Sequence, residues 1–132
     1  MKTYYKVLND HSSVNSQICL RYSKGVTKTP TIAGSKLFVF NSRQHAEDFA
    51  NVQWQQTTIW ECTITGKSHV VELEPIESTR KSMTEYWKAY AHAKKRKINT
   101  FDYISDHVDC QYRYWPIGTV WCDSVTLTKQ IK

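Results

Sequence analysis

Leu37-Phe38-Val39-Phe40, then Asn41-Ser42-Arg43-Gln44-His45-Ala46-Glu47-Asp48-Phe49-Ala50, then Thr57-Thr58-Ile59-Trp60-Glu61-Cys62-Thr63-Ile64-Thr65-Gly66 form one stretch whose reading decides the fold. Four consecutive apolar residues mark a strand covered on both faces. Asn41 and Ser42 then offer side-chain oxygens as helix N-caps, and Gln44 stands three residues after Asn41, the spacing of a capping box. His45, Ala46, Phe49 and Ala50 share one helical face. The last piece alternates, with Ile59, Glu61, Thr63 and Thr65 on one side and Thr58, Trp60, Cys62 and Ile64 on the other. The stretch therefore predicts a buried strand-helix-strand nucleus.

Outward from it, Tyr4–Leu8 reads as an opening strand and Gln17–Tyr22 as a second. Lys24-Gly25 and Thr27–Pro30 read as a loop, and His69–Leu73 as a strand ended by Pro75. Ser82-Met83-Thr84-Glu85 is a Ser-x-x-Glu capping box that predicts the start of a second helix. Met83, Tyr86, Trp87 and Tyr90 follow helical spacing, so an aromatic stripe is expected to face the sheet. The helix closes in Lys94-Lys95-Arg96-Lys97, where cations suit the negative end of the helix dipole. Phe101–Cys110 is open between a loop and a third short helix. Pro116-Ile117-Gly118 is a turn, and Thr119–Thr128 is one long strand or two joined by a kink at Asp123-Ser124. The expected fold is a single α+β domain over residues 1–132, with a curved, mostly antiparallel sheet and two main helices.

The chain has 132 residues, enough for one core without staples. Aromatic residues reach 13%, with eight Tyr and five Trp, while glycine is scarce at four, which argues for tight packing and against a disordered segment. No apolar run approaches the ~20 residues of a membrane span, and the first residues lack a signal-peptide pattern, so a cytoplasmic protein is expected. Cys19, Cys62, Cys110 and Cys122 are widely spaced, which predicts buried free thiols rather than a metal site. No metal, cofactor or catalytic motif is present: there is no phosphate-binding glycine loop, no nucleophile elbow and no His-Glu-x-x-His.

The formal charge of +6 favours an anionic partner. The candidate contact residues are Arg80, Lys81, Lys88, Lys94, Lys95, Arg96 and Lys97 along the second helix. Tyr86, Trp87 and Tyr90 either stack on bases or belong to the core, and the lysines either contact phosphates or are simply solvated. A second candidate surface is Tyr112, Arg113, Tyr114 and Trp115, since Tyr, Trp and Arg supply much of the energy at interfaces. His107, beside Asp106 and Asp109, either has its ring oriented by them, binds a cation weakly with them, or belongs to a polar loop.

Tyr4-Tyr5-Lys6-Val7-Leu8-Asn9, Gly34–Phe40 with the following helix and Ile59-Trp60-Glu61-Cys62, and Gly118-Thr119-Val120-Trp121 resemble small proteins encoded by bacteriophages and prophages. Together with the size, the charge and the lack of a catalytic signature, that resemblance implies a binding protein in the host cytoplasm. It would occupy an anionic host partner (nucleoprotein, nucleic acid or a nucleotide-like ligand), perform no reaction, and counter host defence. A second likeness is to ADP-ribosyltransferase-type folds, in which a strand leads through a small hydroxyl residue into an Ala-x-x-Phe-Ala-like helix. It implies roles for Arg21 and Ser42 in holding a dinucleotide and for Asp123 as the late carboxylate. A nucleic-acid-binding module using the second helix is the third expectation.

Overall fold

The computed structural model describes residues 2–9, 12–13, 21–30, 35–52, 56–68, 80–107 and 117–132, with backbone alone for 9, 12, 13 and 80–84. The expected strand at His69–Leu73, most of Gln17–Tyr22, and the Tyr112–Trp115 surface lie outside these residues. In chain order the elements are β1 (Tyr4–Asn9), β2 (Ser12–Ser13), β3 (Thr27–Lys28), β4 (Leu37–Phe40), α1 (Arg43–Asn51), β5 (Thr58–Thr65), α2 (Arg80–Arg96), α3 (Thr100–His107), β6 (Thr119–Cys122) and β7 (Ser124–Gln130). The fold is α+β, and every strand pairing described is antiparallel.

The expected nucleus is present, with one strand threaded through it. The sheet order is β3-β7-β5-β1-β4-β6, so β4 and β5, joined through α1, flank β1 instead of pairing with each other. This is a split β-α-β arrangement. Alternation along the strands then sorts the side chains. Val7, Phe40 and Ile59 face outward and pack with Ala46 and Phe49 of α1, where the Phe40 and Phe49 rings lie 5.1 Å apart. The opposite face collects Tyr4, Leu8, Leu37, Val39, Trp60, Cys62, Val120, Cys122, Val125 and Leu127, together with Tyr22, into one cluster. Five strands contribute to it, so this is the inside of a curled sheet.

Two local features produce the curl. A bulge between Glu61 and Cys62 shifts the β5–β7 register, and Thr128 Oγ1 donates to the Glu61 carbonyl there at 3.1 Å. Bulges bend the strand that carries them. Four residues on, the β5–β7 pair turns a corner together. Thr65 pairs with Ser124, the Asp123 amide donates to the Thr65 carbonyl at 2.8 Å, and Ser68 then bridges to Trp121. The sheet thus bends back until β6 meets the continuation of β5. Thr119–Thr128 is accordingly two strands kinked at Asp123, and Asp123 is held by Lys36 at 2.5 Å.

Three expectations need correction. Ser42 alone caps α1, accepting from the His45 amide at 3.2 Å, and no Asn41–Gln44 capping box forms. The Asn41 amide is still engaged with the sheet, donating to the Gly118 carbonyl, while its side chain pairs with the His45 ring and Gln44 reaches Asp48. The second helix begins at Arg80, so Ser82 lies inside its first turn instead of capping it. Arg80 and Lys81 are good helix formers and extend the helix toward its N-terminus. Thr27-Lys28 is a short edge strand on β7 and not only loop, with Thr27 and Thr126 hydroxyls 2.7 Å apart.

The corner makes a sharp stability prediction. Gly66 has φ +68°, and a Cβ there would sit 1.9 Å from Asp123 Oδ2, whereas Gly25, at φ +79°, has open space around it. Gly25→Ala is expected to cost about 1 kcal/mol, the backbone term alone. Gly66→Ala adds a clash to the same strain and is expected to cost about 2–4 kcal/mol. Urea denaturation of both variants measures the difference, and equal losses would remove the corner from the account of the fold.

Candidate functional site

The basic residues are positioned by what lies under α2. Tyr86, Trp87, Ala89, Tyr90 and Ala93 are buried, and three of those rings close around Trp121. Trp121 lies 4.9 Å from Trp87, 5.3 Å from Tyr90 and 6.5 Å from Tyr86, all edge to face. The aromatic stripe is therefore core, and its expected alternative role as a base-stacking surface is corrected. Stacking needs an accessible ring face, and these rings are spent on each other.

With that face committed, Lys88, Lys94, Lys95 and Arg96 are exposed on the rest of α2, and Lys97 just past its end. Arg80 and Lys81 lie in the first turn. Lys94 leans over the Tyr90 ring, its ammonium 5.9 Å from the centroid. The helix ends in a Schellman motif: the Lys97 amide donates to the Lys94 carbonyl at 3.2 Å and the Ile98 amide to the Ala93 carbonyl at 3.0 Å. Lys97 itself occupies the left-handed region at φ 57°, a position where glycine is the usual residue. A lysine there costs about 1 kcal/mol relative to glycine. The fourth consecutive cation is thus kept at some expense in stability.

From this corner the chain turns directly into α3. Asn99 Oδ1 accepts from the Asp102 amide at 3.1 Å, capping the helix that Thr100 opens. Phe101–Cys110 is therefore helical through His107. Ile104 is buried against the α2 rings. His107 does not stand in a polar loop. Its ring stacks on Tyr103 at 3.9 Å, and its Nδ1 donates to the Tyr103 carbonyl at 2.9 Å. Among the described residues no group of three His, Cys, Asp or Glu side chains is placed to hold a metal ion.

The residues suggested by the transferase likeness are not brought together. Ser42 follows the end of β4 and is occupied as the α1 cap, while Asp123 sits by Lys36, just before β4 begins. The whole strand, roughly 13 Å, lies between them. Arg21 is exposed.

One charged group escaped the sequence reading altogether. Lys6 points into the curled sheet and is 1% exposed. Its ammonium donates to the Phe38 carbonyl at 2.7 Å and lies 4.1 Å from the Phe38 ring centroid and 5.3 Å from that of Tyr22. Strands β1 and β4 pair directly only at Tyr5 and Phe40, so the ammonium enters where their ladder is thin. Burial pushes its pKa down to about 8, against the pull of the neighbouring Cys122 and Cys62 sulfurs. Burial also pushes the Cys62 thiol up to about 12 and the Cys122 thiol up to about 11, so both are inert free thiols at neutral pH. The available clue was a lysine at the centre of a short strand with apolar neighbours.

No protein-family model matches the chain, and no curated protein or solved structure matches it.

Lys6 sets a pH dependence. Unfolded, it holds its proton up to 10.5, but folded it releases it near 8. In that window the unfolded chain binds more protons, so stability rises with pH. The two thiols act oppositely above their unfolded value of 9.0, where the unfolded chain loses protons that the folded one retains. Stability is expected to climb by about 1 kcal/mol per pH unit between roughly pH 8 and 9 and then fall. Lys6→Met is expected to abolish the climb. Denaturation midpoints across this range test it, and a flat wild-type profile would count against a burial-lowered pKa for Lys6.

Proposed function

We propose that the protein is a non-catalytic binding module for an anionic macromolecule, contacted through Lys88, Lys94, Lys95, Arg96 and Lys97 at the C-terminal end of α2. The observation that carries this reading is Lys97. A run of cations complementing the helix dipole needs no residue in a left-handed conformation, and glycine at that position would make the more stable helix end. Retaining charge where conformation disfavours it is the trade expected of a contact surface. The aromatic packing under α2 supports the same reading, because it holds the helix in place and leaves its basic end to solvent. The resemblance to small phage-encoded proteins supports a partner inside a host cell, such as a nucleoprotein or nucleic acid. Occupying it would interfere with host defence.

Binding to a fluorescein-labelled heparin oligosaccharide tests the electrostatic part. With about four phosphate-like contacts, affinity is expected to fall roughly fifty- to a hundredfold as salt rises from about 50 to about 200 mM. Reversing Lys94, Lys95 and Arg96 to Glu is expected to abolish binding at low salt. Reversing three exposed lysines elsewhere, Lys24, Lys67 and Lys129, should weaken it only a few-fold, although the net charge changes equally. Equal effects of the two triple variants would sink the localised surface. Lys97→Gly is expected to raise stability by about 1 kcal/mol while weakening binding and lowering the salt slope by about one contact. A gain in stability with unchanged affinity would show that Lys97 makes no contact.

A further inference from the structure

We infer that the α2–α3 hairpin binds single-stranded nucleic acid, with His92, Tyr103 and His107 as a ring column in which Tyr103 backs the two histidines and unpaired bases stack on the histidines' outer faces. This rests on the anionic-partner reading and names the partner's class.

The column crosses from one helix to the other. The His92 ring lies 5.0 Å from Tyr103 with an interplanar angle of 28°, and Tyr103 lies 3.9 Å from His107 at 14°. The hydrogen bond from His107 Nδ1 to the Tyr103 carbonyl fixes the last ring. Both histidines are exposed, and Tyr103 between them is half-buried, packed against the cluster around Trp121. The hydrophobic contact between the helices is already made by Ile104 and the α2 rings.

The charges lie alongside. Lys88 precedes His92 by four residues, and Lys95 and Arg96 follow it by three and four, the spacings that place side chains on one helical face. Beyond the helix end, Ile98 and Phe101 are 44% and 37% exposed, a further apolar and ring surface beside Lys97. Stacked rings flanked by cations are what an unpaired strand requires, since each nucleotide offers a π-face and a phosphate. A duplex hides its base faces, and a sulfated polysaccharide or an acidic protein has none to offer. Asp106, exposed three residues after Tyr103, and Asp102 carry the opposite charge on α3. They direct the phosphates toward the α2 side of the column.

Fluorescence anisotropy at low salt tests this with labelled oligothymidine and oligouridine of about twelve nucleotides, a duplex, and an abasic sugar-phosphate oligomer of equal length. The base-bearing single strands are expected to bind at least about tenfold tighter than the abasic chain or the duplex. The comparison between thymidine and uridine oligomers shows which of the two strands is preferred. His107→Ala and Tyr103→Leu are each expected to lower single-strand affinity about five- to tenfold and to leave the abasic affinity unchanged. His107→Ala changes an exposed side chain, so it decides the matter if Tyr103→Leu does not fold. Equal binding of abasic and base-bearing chains, or ring variants that weaken both alike, would overturn the column while the anionic-partner reading stands. If neither heparin nor any oligomer binds, both readings fall.

Discussion

The fold depends on one close approach: the bare backbone of Gly66 against the carboxylate of Asp123. There β5 ends and the last strand changes direction, so that its first half pairs with β4 and its second with β5. A side chain at position 66 would occupy the volume of the carboxylate. The Lys36–Asp123 ion pair at the same corner is partly exposed, and such pairs contribute only about 0–1 kcal/mol. Its effect is orientational. It keeps the carboxylate folded over the glycine, and the hydroxyls of Thr65 and Ser124, 2.6 Å apart, tie the two strands beside it.

From this corner the basic surface follows by packing. Trp121 lies two residues before Asp123, and the corner fixes where its ring emerges on the outer face. Tyr86, Trp87 and Tyr90 close around that ring and so fix the rotation of α2. Tyr90 carries the influence of the corner directly: burial raises its phenol pKa, with Lys36 and Asp123 as its charged neighbours. Once one helical face is held by Trp121, Lys88, Lys95 and Arg96 are left exposed, and His92 beside them reaches the Tyr103 ring of α3. The placement of the cations is a consequence of where a tryptophan had to go.

The parts of this chain legible in its sequence are those governed by short-range rules. The apolar run Leu37–Phe40, the Ser42 cap, the Ala46 and Phe49 face and the aromatic stripe of α2 each follow from periodicity within a few residues, and Phe40, Phe49 and Trp60 are indeed buried. The kink at Asp123-Ser124 was one of two readings, because a kink and a straight strand have the same composition. The β5 bulge left no trace in an alternating pattern that looks regular from Thr58 to Thr65. The ring column was illegible for a different reason. His92, Tyr103 and His107 meet only because α2 and α3 fold back on each other, and each taken alone is an unremarkable polar or aromatic residue.

Lys6 shows the same limit in the core. Alternation places Tyr4, Lys6 and Leu8 on one face of β1, and a strand open to solvent on that face would read identically. Only the curl, set more than fifty residues later at Gly66 and Asp123, turns that face inward. The burial that lowers its pKa to about 8 costs on the order of a few kcal/mol. That is comparable with the burial of one or two large apolar side chains, each worth about 1.5–3 kcal/mol. A core that buries Trp60, Leu127, Val125 and Tyr22 in one cluster can tolerate it. The tolerance is bought with a carbonyl and two ring faces, which let a protonated amine persist where β1 and β4 part. The lysine thereby joins β1 to β4 where their backbone ladder is thin, as one charged contact within the apolar cluster of the inner face.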